Sequence, residues 1–264
     1  MQALRVIYTI WLREFKAFRR ERGRIIAMVG QPLLYLLILG QGIASGLTIN
    51  RAPGVGYLQF MFPGILGMSV LFTSMFSGIS IIWDREFGFL KEVLVAPVPR
   101  WGVAVGKVLG GATIAVLQSM ILVLVAPLAG IYPSPLMVVQ LLLLCFLISV
   151  AVTSLGTAIA ARMRSMQSFQ MIMNFLVMPL YFLSGAMFPL ASAPVWMQTL
   201  MVLDPLTYGV DALRGVVLSG VELPAESAPL AGLVRWDMLT DVSILALVAV
   251  LLVGVAAVQF NRAS

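Results

Sequence analysis

The chain has no histidine, one cysteine and few charges: Asp, Glu, Lys and Arg make up 11% of its 264 residues, where a soluble domain carries about 25%. Each scarcity removes a class of chemistry. Without histidine there is no imidazole acid–base catalysis, and zinc or haem sites built on His and Cys lack their ligands. Cys145, inside an apolar run, has no second cysteine, so no disulfide forms within the chain. A phosphate-binding loop is missing too. The nearest glycine cluster, GVAVGKVLG at 102–110, fails the Gly-x-x-x-x-Gly-Lys-Ser/Thr spacing and opens a hydrophobic run instead of following a strand. The cores of the apolar runs show no ionisable residue, which speaks against proton- or sodium-coupled transport and against an intramembrane hydrolase.

What the chain does have is hydrophobicity: 61% apolar residues and a mean hydropathy of +1.02, in long continuous runs rather than short alternating ones. That pattern predicts an all-α integral membrane protein and excludes a barrel. Residues 1–24 carry seven basic residues and no apolar core of a signal peptide. They read as an amphipathic interfacial helix, with Leu4, Ile7, Tyr8, Trp11, Leu12, Phe15 and Phe18 on one arc and Arg5, Arg13, Lys16 and Arg20 mostly opposite. Val6 and Ile10 interrupt the polar face. The alternative is a plain topology anchor.

Six spans are predicted, at about 25–46, 58–82, 101–130, 136–160, 167–189 and 238–260, together forming one transmembrane domain over 25–260. Gly102, Gly106 and Gly110 open the third and give it a flat face for close helix packing. Lys107, near the same end, is expected to snorkel to the interface. Gln170, Asn174, Thr153, Ser154 and Thr157 are uncharged polar span residues that bridge helices or line a path. Residues 190–236 are apolar yet broken by prolines, and read as short helices dipping into the outer leaflet. Within them Asp211 and Arg214, at i and i+3, are either an outer gate or substrate contact, or a local surface ion pair.

With this topology 14 basic residues lie on one side of the membrane and 3 on the other. That bias puts both termini in the cytoplasm. The net charge of +6 is thus a topology signal and no sign of nucleic-acid binding.

The stretch 83–100, WDREFGFLKEVLVAPVPR, stands apart as the charged link between two spans. Its part 84–95 can form about three helical turns, with Asp84 and Glu86 in the first turn. Phe87, Leu90 and Leu94 lie on an apolar stripe, and Arg85, Lys91 and Glu92 among them. Pro97 and Pro99 stop it. Two readings are open: a helix that docks a soluble partner, or a solvated loop on the lipid headgroups.

Three motifs carry a resemblance. EVLVAPVPRWGVAVGK at 92–107 joins an acidic helix end, a proline stop and a span bearing glycine and lysine. PLYFLSGAMFPLASAPVWMQ at 179–198 has a Ser-Gly-x-x-Phe-Pro element in Ser184, Gly185, Phe188 and Pro189. LDPLTYGVDALRG at 203–215 places Asp204, Pro205, Tyr208 and Arg214 in an Asn-Pro-Leu-x-Tyr pattern with a downstream Arg, with Asp204 where Asn is usual. Both residue types cap helices. Over its full length the chain resembles ABC-2 type transporter permeases, the exporter class that includes drug-resistance, polysaccharide and nodulation-factor exporters. The resemblance implies two permease chains working with two copies of a separate ATP-binding subunit that holds the ATP and magnesium, none being bound by this chain. It also implies a place in the bacterial cytoplasmic (inner) membrane. Residues 1–24 would be an elbow helix, 84–95 the coupling helix and 190–236 re-entrant outer helices. Asp211 would join the gate candidates. Rival readings are a regulatory or assembly subunit and an ATP-independent transporter.

Overall fold

A computed structural model describes residues 2–42, 57–88, 98–163, 165–220 and 233–262. Among them the chain is helical throughout, with no strand. The helices are α1 (Gln2–Arg20), α2 (Arg22–Gly42), α3 (Tyr57–Phe76), α4 (Ile79–Glu86), α5 (Arg100–Leu124), α6 (Pro135–Arg162), α7 (Met166–Leu183), α8 (Val195–Leu203), α9 (Pro205–Ser219) and α10 (Met238–Arg262). Short 3₁₀ turns fill Ala126–Ala129 and Leu190–Ser192.

Among the described residues, five helical stretches are long and apolar enough to cross a membrane: Leu58–Glu86, Arg100–Leu124, Pro135–Arg162, Met166–Leu183 and Met238–Arg262. The first of the six expected spans differs. Its apolar part is the shorter Ile25–Ile38 within α2, which starts directly after α1 and carries Pro32. Residues 43–56 lie outside the described ones.

Local sequence explains the helix ends. Ser134 caps α6 by accepting from the Met137 amide at 3.3 Å, with Pro135 in the first turn. Ser165 caps α7 in the same way. The span Leu58–Glu86 is interrupted between α3 and α4 at Ser77 and Gly78. There the chain crosses α6 backbone to backbone. A Cβ on Gly78 would sit 2.8 Å from the Gly156 carbonyl oxygen, and one on Gly156 would sit 2.6 Å from that of Met75. Small residues at such a crossing give close van der Waals contact, which is what holds helices together where lipid is as apolar as the side chains.

The core lies where α3, α5, α6 and α9 meet, with Leu66, Val70, Ala115, Cys145, Ile148, Val210 and Leu213 fully enclosed. The surfaces of α7 and α10 remain apolar and exposed, Phe175 at 80% and Val250 at 70%, as suits helices facing lipid.

Helix α1 docks along the first half of α5 on the glycine face. A Cβ on Gly106 would stand 2.8 Å from Ile10 Cβ and 3.0 Å from the Ile7 carbonyl oxygen. One on Gly110 would stand 2.7 Å from Glu14 Cβ, and Gly102 lies near Val6. The face turned to the protein is therefore the one carrying Val6, Ile10 and Glu14. The two residues that interrupt the polar arc are its packing residues, while Leu4 and Tyr8 of the apolar arc are exposed.

Candidate functional site

Two polar centres occupy opposite ends of the bundle, since α6 runs from one to the other over 28 residues, about 42 Å at helical rise.

The first centre is a buried ion network. Asp84 does not open a helix; it lies in the last turn of α4, which ends at Glu86, and the chain turns at Phe87 and at Gly88 with φ 80°. A left-handed φ is one that glycine alone adopts without cost. So the expected helix 84–95 is not continuous at its start, and its dipole does not favour Asp84. What holds Asp84 is side-chain charge. The Arg13 guanidinium donates to both carboxylate oxygens, and the Lys107 ammonium donates to Oδ2 at 2.5 Å. Lys107 also donates to Glu14 Oε1 at 2.6 Å and to Ser80 Oγ at 3.0 Å. Lys107 is 4% exposed and Asp84 5%. Lys107 thus does not snorkel; it is enclosed between two carboxylates.

The four charges alternate and sum to zero, which is what makes their burial tolerable. Burial pulls the Arg13 pKa down, but the bond to Asp84 and the attraction of Asp84 and Glu14 outweigh it, so the group stands above its ordinary value. Arg85, next in the chain, donates to the carbonyls of Met163 and, at 2.7 Å, of Ala161. It satisfies the free end of α6, where a cation also suits the dipole. Glu86 and Phe87 are exposed. Leu90, Lys91, Glu92 and Leu94 lie outside the described residues.

The network joins three elements: α1, the end of α4 and the start of α5. It spans sequence separations of 71 and 93 residues, and Arg13 and Glu14 gave no sign of it in the sequence beyond being charges on an amphipathic helix. Next to it a cavity of about 370 Å³ opens between α2, α3, α4 and α5. Its walls are mostly apolar, with Pro32, Tyr35, Phe72 and Trp83. Its polar contacts centre on Gln118, which accepts from Thr73 and donates to the Met28 carbonyl at 2.7 Å. Neither Gln118 nor Thr73 was singled out by sequence reasoning; a glutamine in an apolar run was the available signal.

The second centre brings two of the sequence motifs together. Gly185, at φ 71°, turns the chain after α7, and Ser184 donates to the Tyr181 carbonyl at 2.7 Å. Arg214 on α9 donates to the Gly185 carbonyl at 2.8 Å and lies over the Phe60 ring at 4.3 Å from its centroid. Arg214 is 1% exposed and Asp211 2%. They are not a surface ion pair, and they form no salt bridge with each other. Asp211 instead accepts from the backbone amides of Arg235 and Trp236 at 2.9 and 3.0 Å. Asp204 caps α9 by accepting from the Leu206 amide at 2.9 Å, with Pro205 following in the first turn. Tyr208 donates to the Val202 carbonyl at 2.8 Å. Phe188 packs beside Leu190 and Met201, and Pro189 starts the short turn Leu190–Ser192.

Asp241, in the first turn of α10, is fully buried. Asp241 and Lys107 are thus buried charges at span ends, while the expectation concerned the span cores.

Long apolar helices joined by short links, crossed by small residues and carrying their charges at the two ends, define a multi-pass α-helical membrane protein. Residues 5–218 match the ABC-2 type transporter family, and the chain belongs to that family of transport permeases. It is 29% identical to a putative transport permease ycf38 of Cyanophora paradoxa over 79% of this chain and 72% of that one. It is 27% identical to nodulation protein J of Rhizobium leguminosarum bv. viciae, over 79% and 81% of the two chains. The inner membrane transport permease YadH of Escherichia coli K12 is also 27% identical, over 78% and 80%.

Proposed function

We propose that this chain is the membrane-spanning subunit of an ATP-driven exporter, paired with a second permease chain and served by two copies of a separate ATP-binding subunit. The reading places it in a bacterial cytoplasmic membrane with both termini inside, six spans in all, and α2 as the first. The observation that carries it is the mounting of the stretch 84–95. Asp84 stands at one flank and Lys107 follows the other, and the two are bonded to each other at 2.5 Å. Both are further tied to α1 through Arg13 and Glu14. A link braced in this way transmits a push on its tip to two spans and to the interfacial helix together, rather than dissipating it in a loose loop.

Closure of the ATP-binding subunits then displaces 84–95, and the spans on either side follow. Coupling of this kind requires the link to meet the two states of the ATPase with different free energy. The cargo is amphipathic, of drug, lipid or glycan type. The 370 Å³ cavity, apolar with Gln118 and Thr73 at its wall, suits such a molecule, because apolar walls with a few placed polar groups take up amphipaths. The helices between 190 and 236 would form the outer closure.

The test is affinity purification of the chain from its native membrane, with an ATPase assay of what accompanies it. An ATP-hydrolysing subunit that co-purifies, and is released by Leu90→Asp or Leu94→Asp in a stably inserted protein, supports the reading. Unchanged export by Leu90→Asp removes the assignment of 84–95. Transport in vesicles by the chain alone, without ATP, removes the whole proposal.

A further inference from the structure

Among the buried carboxylates described, Asp241 alone has neither oxygen hydrogen-bonded, although the residue is 0% exposed. A carboxylate enclosed without a partner is costly, and such groups are normally paired. Asp241 borders a cavity of about 250 Å³ between α9, α10 and the start of α6, together with Asp211, Asp237, Trp236 and Gln140. Three carboxylates line this space and no lysine or arginine does.

The guanidinium groups nearby act on Asp211 through space and place their bonds elsewhere. Arg214 is spent on the Gly185 and Leu233 carbonyls and the Phe60 face. Arg235 lies over Trp236 at 5.1 Å from the ring centroid and donates to Gln198. Residues 221–232 contain no lysine or arginine, so this stretch of chain has no cation to bring. Neither arginine bonds an Asp241 oxygen, so both oxygens are open to a donor from outside the protein. No group of acidic side chains among the described residues converges closely enough to hold a metal ion, and the space is much larger than one. An organic cation suits it better, because carboxylates receive its N–H donors.

We propose that this cavity binds an ammonium group, brought either by the amine of a lipid headgroup or by a small free amine. The site lies at the end of the bundle away from Asp84 and Lys107, and its occupancy does not depend on the transport reading.

The experiment uses the full-length purified chain in phosphatidylglycerol nanodiscs and in nanodiscs containing phosphatidylethanolamine. The thermal midpoint is followed against ethanolamine hydrochloride, with matched sodium chloride as control. The expected result in phosphatidylglycerol is a saturable rise of about 3 °C at ten times the dissociation constant, abolished by Asp241→Asn. If the lipid amine is the source, phosphatidylethanolamine gives the rise by itself and free ethanolamine adds nothing. If a free amine is the source, ethanolamine acts equally in both discs. Should Asp241→Asn fail to fold, Asp237→Asn must raise the half-saturating ethanolamine concentration at least about threefold. The proposal is overturned if the wild-type chain shows no rise with either source, if Asp241→Asn keeps the rise, or if Asp237→Asn, used in its place, leaves the half-saturating concentration unchanged.

Discussion

The two ends of the bundle handle buried charge in different ways. Around Lys107 the charges meet directly: Arg13, Asp84, Lys107 and Glu14 bond in an alternating chain. Around Arg214 they do not. Asp211 and Arg214 are one helical turn apart, yet Asp211 takes backbone amides and Arg214 takes backbone carbonyls and an aromatic face. In the first region charge clamps helices distant in sequence onto one another. In the second it fixes chain turns on either side of α9, and neighbouring charges are left to act at a distance. A clamp fails when one partner goes. A set of backbone anchors loses only the anchor removed.

The largest effect should therefore come from Lys107→Met. It leaves Glu14 without its partner while Asp84 keeps only Arg13, and the cost expected for breaking such a network is about 3–5 kcal/mol. Unfolding of the purified chain in mixed micelles measures it. The double change Lys107→Met with Glu14→Gln should recover part of that loss, since it removes the stranded charge. A double that adds the two single losses would show that the clamp is not a unit.

Arg214→Lys ranks next, at about 2 kcal/mol, because an ammonium lacks the flat face that lies on Phe60 and the second donor arm. The same unfolding assay applies. A double-mutant cycle between Asp211 and Arg214, which act on each other through space without a bond, should give a coupling well below the one between Lys107 and Asp84. A larger value would erase the distinction between the two ends.

Gly106→Val should cost about 1–3 kcal/mol, because its Cβ would press on Ile10 Cβ at 2.8 Å and on the Ile7 carbonyl. Cross-linking between cysteines placed on α1 and α5 would report the separation of the two helices. The smallest effect is expected from Asp204→Ala, which removes the cap bond to Leu206, at about 1 kcal/mol.

Much of the fold was legible because it depends on local composition. Long apolar runs can satisfy their backbone in lipid only as helices. The aspartate cap at Asp204 announces itself by position, and a glycine every fourth residue gives a flat face wherever it lands. The site was less legible. That the flat face of Gly102, Gly106 and Gly110 receives α1 follows from no periodicity. Val6 and Ile10, which look like flaws in an amphipathic pattern, pack on that face, because amphipathicity records water and lipid but not a neighbouring helix. Asp84 and Glu86 looked like acidic residues of a first turn. They close a helix instead, because Gly88 breaks the chain just beyond them.

The sequence alone determined that this protein lives in a membrane, that its spans are helical, and that it has no cysteine pair or histidine with which to build a metal centre. Those properties follow from the free energy of placing each residue type in lipid or water, which is fixed by composition and run length. Tertiary structure decided which charges neutralise one another. Arg13 and Asp84 are 71 residues apart and Glu14 and Lys107 are 93 apart, and Coulomb attraction acts through space over a few ångströms, so only the packing of α1 on α5 could bring them together.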